Sequence, residues 1–482
     1  MIRVEAVDAG VAPGSAVTEL IAIARAEAPA ALAALLGVAP EALGNVDPGF
    51  VSGERDTTRV LLSGPTGVRQ VVAVALPETA STAITSAGPR EALTEAGMAL
   101  AQAAPAGGHL SWAAELGPEQ LGAVVEGLLI GAHRVDPEAA LAAEATYVVP
   151  VADGEARRAV ADAADAADAV AWVRRLVEEP PNRLGPVEFA EAIAERAEGS
   201  GLEVRVWSEA ELAAEGFGGL LGVAAGSERP AVAVELIGAA DGPVLGLVGK
   251  GITFDAGGMN VKQDGQEISW MKADMAAAAA VAAAVISAAR QRPGLRARAF
   301  LPLAENLPSG GAQKPGDVIV HPDGTRTEVT DTDSEGRLVI ADGLAWLRRQ
   351  GVAALVDAGT LTDGGGVGGA LWGAWGTDRP LAEAMLAAGA AAGEPGWLLP
   401  LHDRYRQALD SPIADLRNMP LDRPDIGQVA AEYLRHFAGE TPWLHLDIGS
   451  SAYLEVEIGP WPVGATGSPV RALRRFLIDR EG

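Results

Sequence analysis

Residues 244–290 read VLGLVGKGITFDAGGMNVKQDGQEISWMKADMAAAAAVAAAVISAAR. The first five, Val244–Val248, are a short apolar run of strand length. A glycine-punctuated stretch then carries Lys250, Asp255 and Lys262. From 275 to 290 the chain is mostly alanine, the strongest helix former. Strand, loop and helix follow one another, and the pattern recurs along the chain. Leu202–Trp207, Ala231–Ile237, Ala299–Leu303, Ala354–Asp357 and Trp443–Ile448 have strand character, and 187–197, 335–349, 380–392 and 427–437 have helical spacing. Such alternation predicts an α/β fold with a mostly parallel central sheet flanked by helices. Ligands of such sheets gather beyond the carboxyl ends of the strands.

Upstream, Val60–Ser63 and Val71–Leu76 are short apolar strands around the turn-like GPTG, and Tyr147–Val151 is another. Pro89–Ala104 and Pro118–Val135 have helical spacing; the second puts Leu121, Val124, Val125, Leu128, Leu129 and Ala132 on one stripe. Residues 155–178 contain no Gly or Pro and are rich in Ala, Asp, Glu and Arg, so one long helix is predicted, ended by Pro180 and Pro181. The organisation expected is a smaller N-terminal α/β domain at 1–153, a linker helix at 154–179, and the larger, chemistry-bearing domain at 180–482.

Composition removes whole classes of function. With 49% apolar and 21% charged residues in 482, the chain is globular and long enough for two or three compact units. It has no cysteine, which excludes disulfides, zinc fingers, iron–sulfur clusters and thiol catalysis. A net charge of −27 argues against nucleic-acid or anionic-membrane binding. The N-terminus lacks a basic region followed by an apolar stretch, and the run Met275–Ala289 is too short to span a bilayer, so a cytoplasmic protein is expected. There is no HExxH or GxSxG. The Walker pattern around Gly249-Lys250 fails, because position 244 is Val and Gly251 follows the lysine. The histidines, at 109, 133, 321, 402, 436 and 445, form no ligand pair; His445, in the apolar strand WLHLDI, reads as a core residue.

Three segments carry the chemistry: GKGITFDAGGMNVK (249–262), MKADM (271–275) and DTDSEGRL (331–338). Alone, Asp274 reads as a helix cap, and Asp333 and Glu335 as acids favouring a helix N-terminus. Together the segments place four acids near strand ends beside Lys250, Lys262 and Arg337. Carboxylates are hard oxygen ligands, and a bridging one can hold two cations about 3.5–4 Å apart. The residues therefore suggest a two-metal hydrolase without fixing its substrate.

These segments resemble the cytosolic leucyl aminopeptidases, whose hallmark NTDAEGRL is similar to DTDSEGRL. VGKGITFDAGG (248–258), MKADM, ENLPSGGAQKPGD (305–317), GTLT (359–362) and WLHLDI (443–448) match in order, as do EEPPNRLGP (178–186) and ATGSPVRALRRFL (465–477). The N-terminal part matches weakly, around EGLLIGAHRVD.

The resemblance implies that Asp255, Asp333 and Glu335 hold a labile metal, and that Lys250, Asp255, Asp274 and Glu335 hold a tighter one. The two divalent ions would be Zn2+ and/or Mn2+. Lys250 would have to bind as a neutral amine. The free α-amine of a peptide would meet one metal; Lys262 would polarise the scissile carbonyl, and a bicarbonate held by Arg337 would serve as base. Met271, Thr360, Leu361 and Asp363 would contact the substrate. A homohexamer acting on peptides with a free N-terminus is implied.

Five departures stand out. Asp331 replaces Asn, and Ala276 and Ala277 replace small glycine-type residues. The interval from Lys262 to Asp274 is one residue longer, so a bulged loop is expected there. Asp363 stands where the family has Gly, and Gly449, Ser450, Ser451 and Ala452 replace a more apolar set. An acid at 363 would favour polar or cationic first residues if it faces the pocket, and do nothing if it faces solvent. The alternatives to an aminopeptidase are a catalytically silent or DNA-binding regulatory relative, and a two-metal phosphoesterase.

Overall fold

The computed structural model describes residues 2–8, 18–24, 57–64, 67–76, 88–105, 107–110, 116–133, 145–263, 265–421 and 426–480. The chain forms two compact units, Met1–Ala171 with Glu457–Pro462, and Trp172–Val456 with Val463–Gly482.

In the first unit, β1 (Ile2–Asp8), β2 (Glu19–Ala24), β3 (Thr57–Gly64), β4 (Gly67–Leu76), β5 (Gly107–Leu110) and β6 (Ala145–Val151) form one sheet in the order β1-β6-β5-β2-β4-β3. Its pairings are parallel except for the β3–β4 hairpin. Helices α1 (Pro89–Ala103) and α2 (Pro118–Ala132) belong to it. The predicted stripe on α2 is buried at Leu121, Val124, Val125, Leu128 and Ala132, with Leu129 only partly covered. Residues 134–135 of the predicted span, and the end of EGLLIGAHRVD, lie outside the described residues. The long helix is present as α3 (Gly154–Glu178), and the division between the units falls inside it, after Ala171.

The second unit contains α4 (Pro186–Ala197), β7 (Glu203–Trp207), β8 (Val232–Ile237), β9 (Leu245–Gly249), β10 (Gly251–Asp255), α5 (Ala276–Gln291) and β11 (Ala297–Asn306). It continues with β12 (Val318–Val320), β13 (Arg326–Glu328), α6 (Gly336–Arg349), β14 (Ala354–Gly359), β15 (Trp372–Gly376), α7 (Arg379–Ala392), β16 (Gly396–Leu398), β17 (Leu416–Arg417), α8 (Gly427–Ala438), β18 (Trp443–Asp447) and α9 (Val470–Asp479). The main sheet runs β16-β15-β18-β14-β9-β11-β8-β7, with β10 also on β11. Its centre is parallel: β14 pairs with β18 and β9, and β11 with β9 and β10. Antiparallel pairings of β8 with β11, β7 with β8 and β15 with β18 flank that centre. The fold is thus α/β, as the alternation predicts.

The central strands are buried because successive side chains point to opposite faces and each face has a helix. On β9, Val248 meets Gly343 of α6, and the next residue, Gly249, meets Ala278 of α5. Small residues on both sides let α5 lie close to the sheet, which is why that helix is built of alanine. The helical run from Ile268 to Gln291 is longer than its alanine core and matches a membrane span in length and composition, yet 89% of its apolar window is buried inside the protein. In place of a bulge after Lys262, the chain forms a short helix, Gly265–Trp270, and a tight 3₁₀ turn, Met271–Met275; residue 264 lies outside the described residues. A separate three-stranded sheet, β12-β13-β17, stands apart from the main one.

Candidate functional site

The carboxyl ends of β9, β10 and β14 converge, and the residues just beyond them carry the charges. Lys250 sits between β9 and β10, with its main chain fixed on both sides: its N–H donates to Ala358 O (3.0 Å), and its carbonyl accepts from Ala278 N–H (2.8 Å). Its side chain is 4% exposed. Nζ lies 2.7 Å from Asp274 Oδ1 and 2.7 Å from Glu335 Oε1, and donates to Thr360 O at 2.9 Å. Asp274 comes from the 3₁₀ turn ahead of α5, and its Oδ1 also accepts from Thr360 Oγ1 (2.7 Å). Its Oδ2 is buried without a hydrogen-bond partner.

Asp255 ends β10. Its Oδ1 accepts from Gly257 N–H (2.9 Å) and Asn306 Nδ2 (2.8 Å), and its Oδ2 lies 2.9 Å from Lys262 Nζ. Lys262 also reaches Asp333 Oδ1 at 2.7 Å. Glu335 stands at the N-cap of α6, and Arg337, in its first turn, is buried and donates from Nη1 to Asn418 O (2.6 Å). Candidate ligand oxygens of Asp255, Asp333 and Glu335 lie within 4.8 Å of one another, the one such group among the described residues.

Four carboxylates therefore share two ammonium groups. Burial, reinforced by the charge of Asp255, pushes Glu335 up, and burial with the charges of Asp255 and Glu335 pushes Asp333 up to about 7. Burial also lifts Asp274 well above the usual carboxylate range. Burial alone would lower both lysines. The acids outweigh it, chiefly Asp274 and Glu335 at Lys250 and Asp255 and Glu335 at Lys262, and both are raised. With protein charges alone, Lys250 is an ammonium held by two acids; becoming a neutral amine ligand requires added positive charge nearby. The hard oxygen donors, the excess of negative charge and the free Asp274 Oδ2 fit divalent cations.

Of the remaining sequence-predicted residues, Thr360 touches the cluster through both its hydroxyl and its carbonyl. Leu361 follows it, half-buried, and Met271, also half-buried, opens the turn that bears Asp274. Asp363 is exposed; its Oδ1 accepts from Gly365 N–H (3.1 Å), and its carbonyl accepts from Ser450 Oγ (2.9 Å). His445 is buried, with Nδ1 2.5 Å from Asp357 Oδ1 and Nε2 unpartnered.

Sequence reasoning missed the residues that hold the acids in place. Asn306 donates to Asp255 and to Thr332 O (2.9 Å); Thr332 Oγ1 donates to Gly257 O (2.7 Å) and accepts from Asn260 N–H (2.8 Å). Asn306 and Thr332 lie inside matched motifs, so only their roles were hidden. Asp447 likewise lies inside the matched WLHLDI, whereas Asn418 has no such signal, because its contacts are made across the fold.

Residues 171–474 match the model of the cytosol aminopeptidase family, catalytic domain. A "Probable cytosol aminopeptidase" of Solibacter usitatus is 42% identical over 346 residues, 69% of this chain and 70% of the relative. One from Acaryochloris marina is 35% identical over 439 residues, 88% of each. Among solved structures, the bottromycin maturation enzyme BotP in complex with Mn superposes with a TM-score of 0.81 at 35% identity, covering 96% of this chain and 99% of that one. The agreement extends from the acid cluster to the whole second unit, and the chain belongs to the cytosol aminopeptidase family, a family of metal-dependent aminopeptidases that hydrolyse peptides.

Proposed function

We propose that this chain is a two-metal aminopeptidase that removes the N-terminal residue, leucine among others, from short peptides. The observation that supports this reading is the single ion-paired cluster of Lys250, Asp255, Lys262, Asp274, Asp333 and Glu335. Asp255, Asp333 and Glu335 would hold one divalent ion, and Lys250, Asp255, Asp274 and Glu335 the other, zinc or manganese. Bound there, the ions supply Lewis acidity and acidify water toward neutral pH.

The remaining roles belong to the chain. Lys262 offers its ammonium to the carbonyl oxygen on which negative charge develops, an electrostatic contribution fixed in advance by its two acid partners. Arg337 offers a buried guanidinium to a bicarbonate. Met271, Thr360 and Leu361 orient the substrate, and Asp363 borders the space for its first side chain. The catalytic domain is assigned to 180–482, the linker to 154–179 and a separate N-terminal domain to 1–153. A cytoplasmic homohexamer completes the reading.

Its test is turnover of Leu-p-nitroanilide before chelation, after chelation, and after return of Mn2+ or Zn2+, beside the N-acetylated substrate. Activity that follows the metal and requires the free amine supports it. Turnover unchanged in Glu335→Ala overturns it. Leu-, Met-, Arg- and Gly-p-nitroanilides compared in wild type and Asp363→Gly test the pocket assignment; identical profiles remove Asp363 from it. The near-complete match to BotP favours a second reading, in which the substrate is one biosynthetic peptide. Efficient turnover of unrelated dipeptides would count against it.

A further inference from the structure

Asp333 and Glu335 sit on a stretch, 330–335, that is neither helix nor strand. No ladder of backbone hydrogen bonds fixes it, so its shape must come from tertiary contacts. Thr332 is held by Asn260 and Asn306, and the two ends of the stretch are held by one further side chain. Asn418 is fully buried. Its Oδ1 accepts from Thr330 N–H (2.8 Å) and Asp331 N–H (3.3 Å), while the Thr330 hydroxyl, 3.2 Å away, has its shorter contact to Met419 O (2.6 Å). Its Nδ2 donates to Asp331 O (2.6 Å) and Ser334 O (3.2 Å). The carboxamide thus ties together the two ends of the turn that presents Asp333. Its main-chain carbonyl accepts from Arg337 Nη1.

The small sheet explains how Asn418 arrives there. β17 pairs in parallel with β13, and Asn418, the next residue, extends that ladder by donating its N–H to Glu328 O (3.1 Å). Asn418 is thereby set alongside Thr330, two residues beyond Glu328. Only a carboxamide serves both halves of the contact, because the loop offers donors to one end of the side chain and carbonyls to the other.

We infer that Asn418 is a positioning residue that sets the geometry of Asp333, and that the β12-β13-β17 sheet exists in part to present it. This rests on the two-metal reading above. Groups that orient ligands without touching the metal typically change its affinity 10- to 100-fold when lost. Asn418→Asp keeps the size and the acceptor but turns an oxygen toward Asp331 O and Ser334 O.

The experiment is calorimetric titration of the chelator-stripped full chain with Mn2+, together with Tm, for wild type, Asn418→Asp, Asp333→Asn and the double variant. The expected result is a loss of about tenfold or more in Mn2+ affinity at one site of Asn418→Asp, with the other site retained. The double variant should then bind no more weakly than Asp333→Asn, because both changes act on one contact. Wild-type affinity in Asn418→Asp overturns the inference, as do additive losses or a simultaneous collapse of both sites and Tm. Should Asn418→Asp fail to fold, Asn418→Ser, which removes the Nδ2 donors to Asp331 O and Ser334 O in a smaller side chain, is expected to weaken Mn2+ about tenfold, and unchanged binding there overturns it. A wild type that takes up no Mn2+ overturns the two-metal reading itself, an outcome visible in the wild-type arm alone.

Discussion

Gly336 has no side chain at the place where Lys250 passes. A Cβ there would lie 2.6 Å from Cε and Nζ of the lysine and 2.6 Å from Leu361 Cδ2. The glycine of DTDSEGRL therefore makes room for the ammonium that bridges Asp274 and Glu335. Leu361 cannot yield freely, because it also packs against Gly359. Gly336→Ala should displace Lys250 rather than unfold the unit. We expect a stability loss of about 1–3 kcal/mol from overpacking and a fall in kcat on the order of 10²-fold, the cost of misplacing a group of the site by about 1 Å. Thermal melts and Leu-p-nitroanilide kinetics on one preparation check both. A normal kcat would mean that the lysine moves without consequence.

Four carboxylates facing two ammonium groups make the metal-free cluster a source of instability. Asp333 is the most accessible of them, at 30% side-chain exposure, and its carboxyl is pushed up to about 7 by burial and by Asp255 and Glu335. At pH 8 it is ionised both folded and unfolded, but only the folded state opposes that charge. Asp333→Asn should therefore leave the Tm of chelator-treated protein unchanged or raise it by roughly 1–4 °C, while activity with metal falls on the order of 10²-fold or more. Loss of function beside retained or increased stability is the pattern of a site selected for binding. A lower Tm in the metal-free variant would show that Asp333 is there for the fold.

How far the sequence could be read follows from where the information lies. Val244–Val248 and the alanine run after Asp274 are local signals, and both elements formed within a residue or two of their predicted limits. β15 was invisible because WGAWG mixes tryptophan with glycine, a poor strand former on its own; its pairing with β18 and the burial of Trp372 and Trp375 hold it. The charged residues of the cluster could be picked out because they recur in short motifs. Asn418 could not, since what marks it is a set of contacts to residues more than 80 positions away. Asp363 could be singled out by its departure from the motif, but whether its carboxylate meets a substrate depends on contacts that the sequence does not encode; in the structure it is exposed and accepts from Gly365 N–H.

His445 gives the second unit a pH-dependent element apart from the metal cluster. Burial by itself would lower its pKa, but Asp357, 2.5 Å from Nδ1, overrides burial, and the imidazole is raised. A raised base adds stability that is complete below its unfolded pKa of about 6.5 and is lost as pH rises through the higher folded value. The Tm difference between wild type and His445→Gln should be largest near pH 6 and shrink steadily above neutrality. A difference that does not vary between pH 5.5 and 9 would show that the imidazole does not change charge on folding.

Asp447, at the end of β18, holds the loop that follows β14. Its Oδ2 accepts from Thr362 N–H (3.0 Å) and Thr362 Oγ1 (2.5 Å), and its Oδ1 from Gly449 N–H (3.0 Å). The same loop is tied at its other end to Lys250 and Asp274 through Thr360. Leu361 lies between the two anchors, so its position depends on both. Asp447→Asn replaces one acceptor oxygen by an NH2 group that faces a donor, a penalty of about 1–3 kcal/mol for an unsatisfied buried group. The Thr360 anchor and the acid cluster stay in place. The loss should therefore fall on substrate binding, with KM for Leu-p-nitroanilide rising about tenfold and kcat changing much less. Discrimination among Leu-, Met-, Arg- and Gly-p-nitroanilides should narrow as Leu361 gains freedom. A uniform drop in kcat with KM and selectivity intact would instead place the effect of Asp447 on the cluster, transmitted through Thr360 to Lys250.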